Sequence, residues 1–203
     1  WNSRSVPGCG VGSPMAIPRQ VPEIVAMGTL HIREAGIDDA ATVAAIHCAS
    51  WRSAYAGILE QSFLDGPIES DRSALWSDRL ANPRAEQIVL VAEEAPLQPV
   101  GFLCAFGGVD RHWGSLIDNI HVLPSHRGQG SGARMIQNVA MRLASCHPGT
   151  GIHLWVFEAN KAGLRFYERL GGKVVERDTS RIPAARGAAV LCLHWPDPHR
   201  LLD

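Results

Sequence analysis

Three glycines alternate with polar residues in HVLPSHRGQGSGARM, His121 to Met135: Gly128, Gly130 and Gly132, directly after Arg127. Beyond them Met135, Val139 and Leu143 recur every fourth residue, the spacing of a helix with one apolar face. The first backbone N–H groups of a helix have no partner inside it, and the aligned peptide dipoles add a positive end. Such an end binds anions, phosphates above all. Glycines remove the Cβ atoms that hold a phosphate away, and Arg127 adds a permanent charge with a planar fork of donors. A plain connecting turn does not need them, since glycine at a helix start costs up to about 1 kcal/mol relative to alanine. Arg127, Gly128, Gln129, Gly130, Ser131 and Gly132 are therefore expected to form a phosphate loop.

The owner of the phosphate is narrowed by pattern. No Gly-Lys-Ser/Thr follows the glycines, so the lysine and magnesium ligand of a nucleoside-triphosphate loop are missing. A dinucleotide fingerprint is a closer rival, because Gly128 to Ala133 satisfies G-x-G-x-x-A and Glu158 stands where a ribose-binding acid would. Three features oppose it. Pro124-Ser125-His126-Arg127 separates the preceding strand from the first glycine. That strand carries Asp118, Asn119 and His121, poor choices for a fully buried parallel strand. The segment after Glu158 does not repeat a β-α-β pattern.

The elements that must position this loop follow from periodicity. Thr29–Gly36 alternates as a strand, and Asp38 or Asp39 caps a helix carrying Val43, Ile46 and Ala49 until Gly57. A weaker helix spans roughly residues 72–80, ended by Asn82-Pro83. Gln87–Glu94 and Pro99–Gly108 read as an antiparallel pair, Gly114–Pro124 as a strand, about 130–144 as a helix and Gly151–Glu158 as a strand. Asn160 caps a short helix that Gly171 stops, and KVVERD and AAVLCLHW close the chain as strands. The expected fold is α/β (α+β): a mixed, mostly antiparallel central sheet of about seven strands flanked by about four helices. One domain is expected over residues 28–203. Residues 1–27, rich in Gly, Pro and Ser, read as a flexible tail or leader, with Met15 or Met27 as candidate starts.

Bulk properties restrict function. The 203 residues carry a net charge near −1, which gives no basis for binding nucleic acid or an anionic membrane. No apolar run approaches the roughly 18 residues of a spanning helix. The five scattered cysteines (Cys9, Cys48, Cys104, Cys146, Cys192) form no C-x-x-C pair, which argues against disulfides and zinc and suits a reducing, cytoplasmic setting. The nine histidines form no metal motif, so no metal is expected.

A third owner of the phosphate is coenzyme A. Arg127-Gly128-Gln129-Gly130-Ser131-Gly132 after IHVLP resembles motif A of the GNAT superfamily of acetyl-CoA-dependent N-acetyltransferases, Q/R-x-x-G-x-G/A after a strand ending V-x-P. EANKAGLRFYERLGG resembles its second signature, and the element order over residues 29–195 agrees. The resemblance implies a GNAT-like fold, acetyl-CoA as co-substrate, and no metal. It implies that the backbone of the Ile120–His121–Val122 stretch holds the pantetheine arm, Ile120 and Val122 pairing with it and the Ile120 N–H polarising the thioester carbonyl. Tyr167, with an ordinary pKa near 10, is the expected acid for the leaving thiolate. Asn160 is expected to cap its helix and line the cofactor, on the helix face it shares with Tyr167.

The general base stays open among Asp118, His121, His112, Glu94, His153 and a water chain. Alternation places Asp118 on the side of Ile120 and Val122, with His121 opposite. In this superfamily the acceptor side comes from the first two helices and their loop, here WRSAYAGILEQSFLDG. Trp51 and Tyr55, four apart, either wall the acceptor or pack on the sheet. The expected reaction is acetyl transfer to a primary amine of a small molecule by direct attack. A peptide or protein amine as acceptor, and a non-catalytic acyl-CoA sensor, are the alternatives. A monomer or a homodimer is expected.

Overall fold

Asp110 closes the turn between two long strands by accepting the N–H groups of His112 and Trp113, each at 2.7 Å, and sets the antiparallel pairing around which the sheet is built. The computed structural model describes residues 30–201; the expected tail, 1–27, lies outside them. Within the described residues seven strands form one sheet: β1 (His31–Glu34), β2 (Gln87–Glu94), β3 (Gln98–Asp110), β4 (Gly114–Val122), β5 (Ile152–Phe157), β6 (Lys173–Thr179) and β7 (Ala189–Trp195). Their order is β1-β2-β3-β4-β5-β7-β6, and every neighbouring pair is antiparallel except β4 and β5. The expected mixed, mostly antiparallel sheet is present.

Among the described residues five α-helices flank it: α1 (Ala40–Ala54), α2 (Gln61–Asp65), α3 (Ile68–Ala81), α4 (Ser131–Cys146) and α5 (Lys161–Arg169). Two differ from expectation. The single turn of α2 is too short for periodicity to reveal. Helix α3 starts at Ile68, because Ile68 is fully buried beside Cys48 and Trp51 of α1 and extends the helix beyond its weak local pattern.

The sheet separates two apolar layers. On one face α1 and α3 bury Val43, Ile46 and Trp76 against Val91, Phe102 and Cys104. On the other, Met135, Ile136, Val139, Ala140 and Leu143 of α4 fall on one helical stripe and pack on Leu103, Ala105, Ile117 and Leu154. Each fully buried aliphatic side chain of that stripe contributes roughly 1.5–3 kcal/mol. At the sheet edge Arg33 of β1 binds the buried Glu93 of β2 and Asp39, each at 2.7 Å, pinning β1 to the start of α1. No helix among the described residues is long and apolar enough to cross a membrane.

Candidate active site

The site begins as a defect in the sheet. Strands β4 and β5 pair only through Ser115 with Ile152 and Leu116 with His153, then lose each other. At the foot of this pair the Ser115 N–H donates to Gly151 O at 2.9 Å, so odd-numbered positions of β4 face β5. At the far end the Leu123 N–H donates to Val100 O at 2.8 Å, so odd positions there face β3. The reversal comes from a bulge. The consecutive residues Cys104 and Ala105 pair with Asn119 and Ile117, leaving Asp118 as the extra residue. Backbone groups alternate sides in an antiparallel ladder, so Ile120 and Val122 turn their N–H and C=O groups into the gap that β5 has vacated. An extended chain bearing amides can pair with them there.

The glycine loop stands at the upper end of this gap, and its three glycines have different duties. Gly128 (φ 79°) and Gly130 (φ 89°) are left-handed, a conformation that side chains resist. A Cβ on either would meet nothing within 4 Å, so the space over them is open. Gly132 serves packing: a Cβ there would lie 3.3 Å from Phe166 Cζ, so its absence lets the start of α4 approach α5. Gly130 caps α4 through its backbone alone, and the first helical bond runs from the Arg134 N–H to Gly130 O at 3.0 Å. The N–H groups before Arg134 have no helical acceptor. Gln129 folds back to donate to Ser125 O at 3.4 Å. Open left-handed glycines and free N–H groups at a helix start fit a pyrophosphate.

Arg127 differs from expectation. Its side chain runs beside the loop and rests against the end of α1. Its Nη1 donates to Ser53 Oγ at 3.0 Å, its Nη2 to Ser50 Oγ at 3.1 Å and Ser50 O at 3.3 Å, and its Nε to Val122 O at 3.3 Å. The C-terminal end of a helix dipole favours a cation.

His121 is the second departure. Its backbone faces β3 and its ring points to α1, so neither enters the gap. Trp51 Nε1–H donates to its Nε2 at 3.4 Å, which leaves the proton on Nδ1, 3.0 Å from Ser50 Oγ. The ring stacks on His47 with centroids 4.4 Å apart, and burial, reinforced by Arg127 and Arg72, pushes its pKa down to about 3. A buried imidazole with both nitrogens engaged is no base for an incoming amine.

The other base candidates are also accounted for. Asp118 turns toward α3 and pairs with Arg79 at 2.6 Å, on the side of His121 and not, as simple alternation implied, of Ile120 and Val122. The bulge is the reason. His112 belongs to the β3–β4 turn and His153 to the foot of β5, both at the end of the sheet opposite the loop. Glu94 lies at the end of β2, with His126 Nε2 3.8 Å away.

Tyr167 and Asn160 are brought to the gap by α5. Asn160 caps the helix, its Oδ1 accepting the Gly163 N–H at 3.0 Å, which leaves its amide donor unused. The half-buried Tyr167 ring packs against Phe166, with centroids 5.1 Å apart, and burial, reinforced by the nearby Tyr55 phenol, pushes its pKa well above the ordinary tyrosine range. Tyr55 reaches the gap from the opposite face, edge-on to Phe157 at 5.0 Å, with its own phenol pushed up to about 12 by burial. Trp51 is only 5% exposed, with Arg72 4.6 Å over its ring. Of the two aromatics only Tyr55 keeps surface toward the site.

Two residues here were missed in the sequence. Ser50 is an ordinary helical serine until folding brings Arg127 and His121 to it. Trp155 lies in the middle of β5 on the face of Phe157, opposite α4, and remains 38% exposed. Period-two alternation within HLWVF could have singled it out. Among the described residues no group of His, Cys, Asp and Glu is arranged to hold a metal ion.

The chain is similar to known proteins. Residues 49–172 match the model of the Acetyltransferase (GNAT) family. A probable N-acetyltransferase of Mycobacterium tuberculosis is 31% identical over 144 residues, covering 69% of this chain and 78% of its own. The uncharacterised N-acetyltransferase YuaI of Bacillus subtilis is 26% identical over 169 residues, 82% of this chain and 92% of that one. Among solved structures, the PaiA N-acetyltransferase of Thermoplasma acidophilum in complex with coenzyme A superposes with a TM-score of 0.66 at 18% identity, covering 82% of this chain and 99% of that one. A GCN5-related N-acetyltransferase from Rhodopseudomonas palustris gives 0.64 at 25% identity, covering 83% and 96%. The open gap, the left-handed glycines and these matches agree: the chain belongs to the GNAT family and is an acetyl-CoA-dependent N-acetyltransferase.

Proposed function

We propose that the enzyme transfers the acetyl group of acetyl-CoA to a primary amine of a small molecule by direct attack on the thioester. Residues Arg127 to Gly132 hold the pyrophosphate. Ile120 and Val122 pair with the pantetheine arm, and the Asn160 amide donates to it. The Ile120 N–H polarises the thioester carbonyl, where negative charge grows in the transition state. Tyr167 gives its proton to the departing thiolate; its raised pKa keeps the phenol protonated until that charge appears. Among the described residues no carboxylate or imidazole around the gap is free to act as base, so the amine proton leaves through water. The acceptor comes from the Tyr55 side, over the exposed face of Trp155.

A small acceptor is favoured by one observation. The α1–α2 connection is tied to the β6–β7 connection: the Glu60 N–H donates to Ala184 O at 2.8 Å, and Arg186 pairs with Glu60. This bridge narrows the acceptor entrance to a mouth, where a polypeptide needs an open trough. Release of free thiol from acetyl-CoA, measured over a panel of small amines and amine-bearing peptides, tests the reading. Turnover with small amines is expected. Turnover only with peptides would replace it by the peptide reading, and none with either by the sensor reading.

A further inference from the structure

Arg127 is a cation with no carboxylate partner among the described residues; its guanidinium rests on two hydroxyls and two carbonyls. Ser50 and Ser53 lie in the last two turns of α1, at the helix end that favours a positive charge. Ser50 Oγ is itself fixed, since His121 Nδ1 lies 3.0 Å away in the core. The place of the guanidinium is therefore set by α1 and β4, while the next residue, Gly128, opens the loop. A fixed cation without an anion, at the edge of a loop of free N–H groups, is a preset half of an ion pair.

We propose that Ser50 and Ser53 are positioning residues for the pyrophosphate site: they hold the Arg127 guanidinium at the edge of the glycine loop before acetyl-CoA arrives. This rests on the reading of the loop as the coenzyme A anchor. The arrangement costs no reorganisation on binding and makes one unit of the loop and the helix that leads to Tyr55. Affinity for the diphosphate end of the donor then depends on two hydroxyls that never touch it.

Comparison of acetyl-CoA with S-acetylpantetheine, the same thioester without the diphosphate and nucleotide, tests this. The wild type is expected to prefer acetyl-CoA in kcat/KM. In the Ser50→Ala/Ser53→Ala double variant, kcat/KM for acetyl-CoA falls about tenfold or more, the scale of hydrogen bonds to a charged group, through KM and not kcat. S-Acetylpantetheine is used as well as before, so the preference collapses, as it does in Arg127→Ala. Ser50→Thr keeps it. A merely structural role would lower both donors together. If the double variant does not fold, Ser53→Ala alone, at an exposed position, reads the same ratio. An unchanged ratio in the serine variants with a collapsed one in Arg127→Ala overturns the positioning role alone. An unchanged ratio in all of them removes the Arg127 side chain from the site as well, and a wild type that uses both donors equally overturns the loop assignment itself.

Discussion

The Asp118 carboxylate meets the Arg79 guanidinium at 2.6 Å, on the strand residue that has no partner in β3. Asp118 thus belongs to a bulge that re-aims the backbone, and its charge is already answered. The bulge hands Ile120 and Val122 to the gap. An acid that looked like a base in the sequence is part of the scaffold around the reaction.

Asp118→Asn is therefore expected to lower turnover by less than about tenfold, well short of the 10²–10⁴-fold of a lost general base. The partly exposed ion pair contributes on the order of 1 kcal/mol, and chemical denaturation should show a loss of that size. A thousandfold fall in kcat with normal stability would return Asp118 to the role of base.

Gly130→Val puts a β-branched side chain at φ 89° at the start of α4. The strain and the blocked N–H groups should abolish acetyl-CoA binding. Wild-type protein at a ligand concentration of 100 times Kd gains about 2.7 kcal/mol of stability, readable as a shift in melting temperature. The variant should show no shift with acetyl-CoA, and neither protein should respond to NAD(P). A normal acetyl-CoA shift in the variant would remove the loop from the binding site.

Trp155→Ala should raise KM for the amine several-fold, on the scale of about 1 kcal/mol for an aromatic contact with a cation, and leave KM for acetyl-CoA as it was. Steady-state kinetics with each substrate varied in turn decide it. Equal changes in both constants would place Trp155 outside the acceptor site.

The buried histidines tie stability to pH. His121 titrates at about 3 in the fold and near 6.5 in the unfolded chain, so the unfolded state takes up protons first as pH falls. Its stabilising contribution is complete above about pH 6.5 and is lost progressively below it, by up to about 1.4 kcal/mol per pH unit. Burial lowers His47, His153 and His194 in the same direction. Denaturant midpoints should decline between pH 7 and pH 5, and His121→Asn should flatten that slope. A pH-independent midpoint would contradict the buried neutral imidazoles.

The glycine loop was legible because its cue is local: alternating glycines, an arginine, and a helical stripe four residues apart. The order of elements was legible for the same reason, and with it the family. What escaped depends on contacts between distant residues. One extra residue makes the bulge at Asp118, and no composition marks it. Arg127 folds onto Ser50 and Ser53, more than seventy positions away in sequence. The packing duty of Gly132 against Phe166 is likewise invisible in the sequence. Trp51 and Tyr55 share a helix face, yet Arg72 covers the Trp51 ring and not that of Tyr55.

The most direct test of the central claim is Tyr167→Phe, which removes one hydroxyl and keeps the ring that packs on Phe166. Single-turnover thiol release, measured beside calorimetric binding of acetyl-CoA, separates chemistry from affinity. The rate of thiol release should fall about 10²–10⁴-fold while Kd for acetyl-CoA stays within about threefold of the wild type. Unchanged thiol release, or a loss carried wholly by Kd, would contradict the assignment of Tyr167 as the acid.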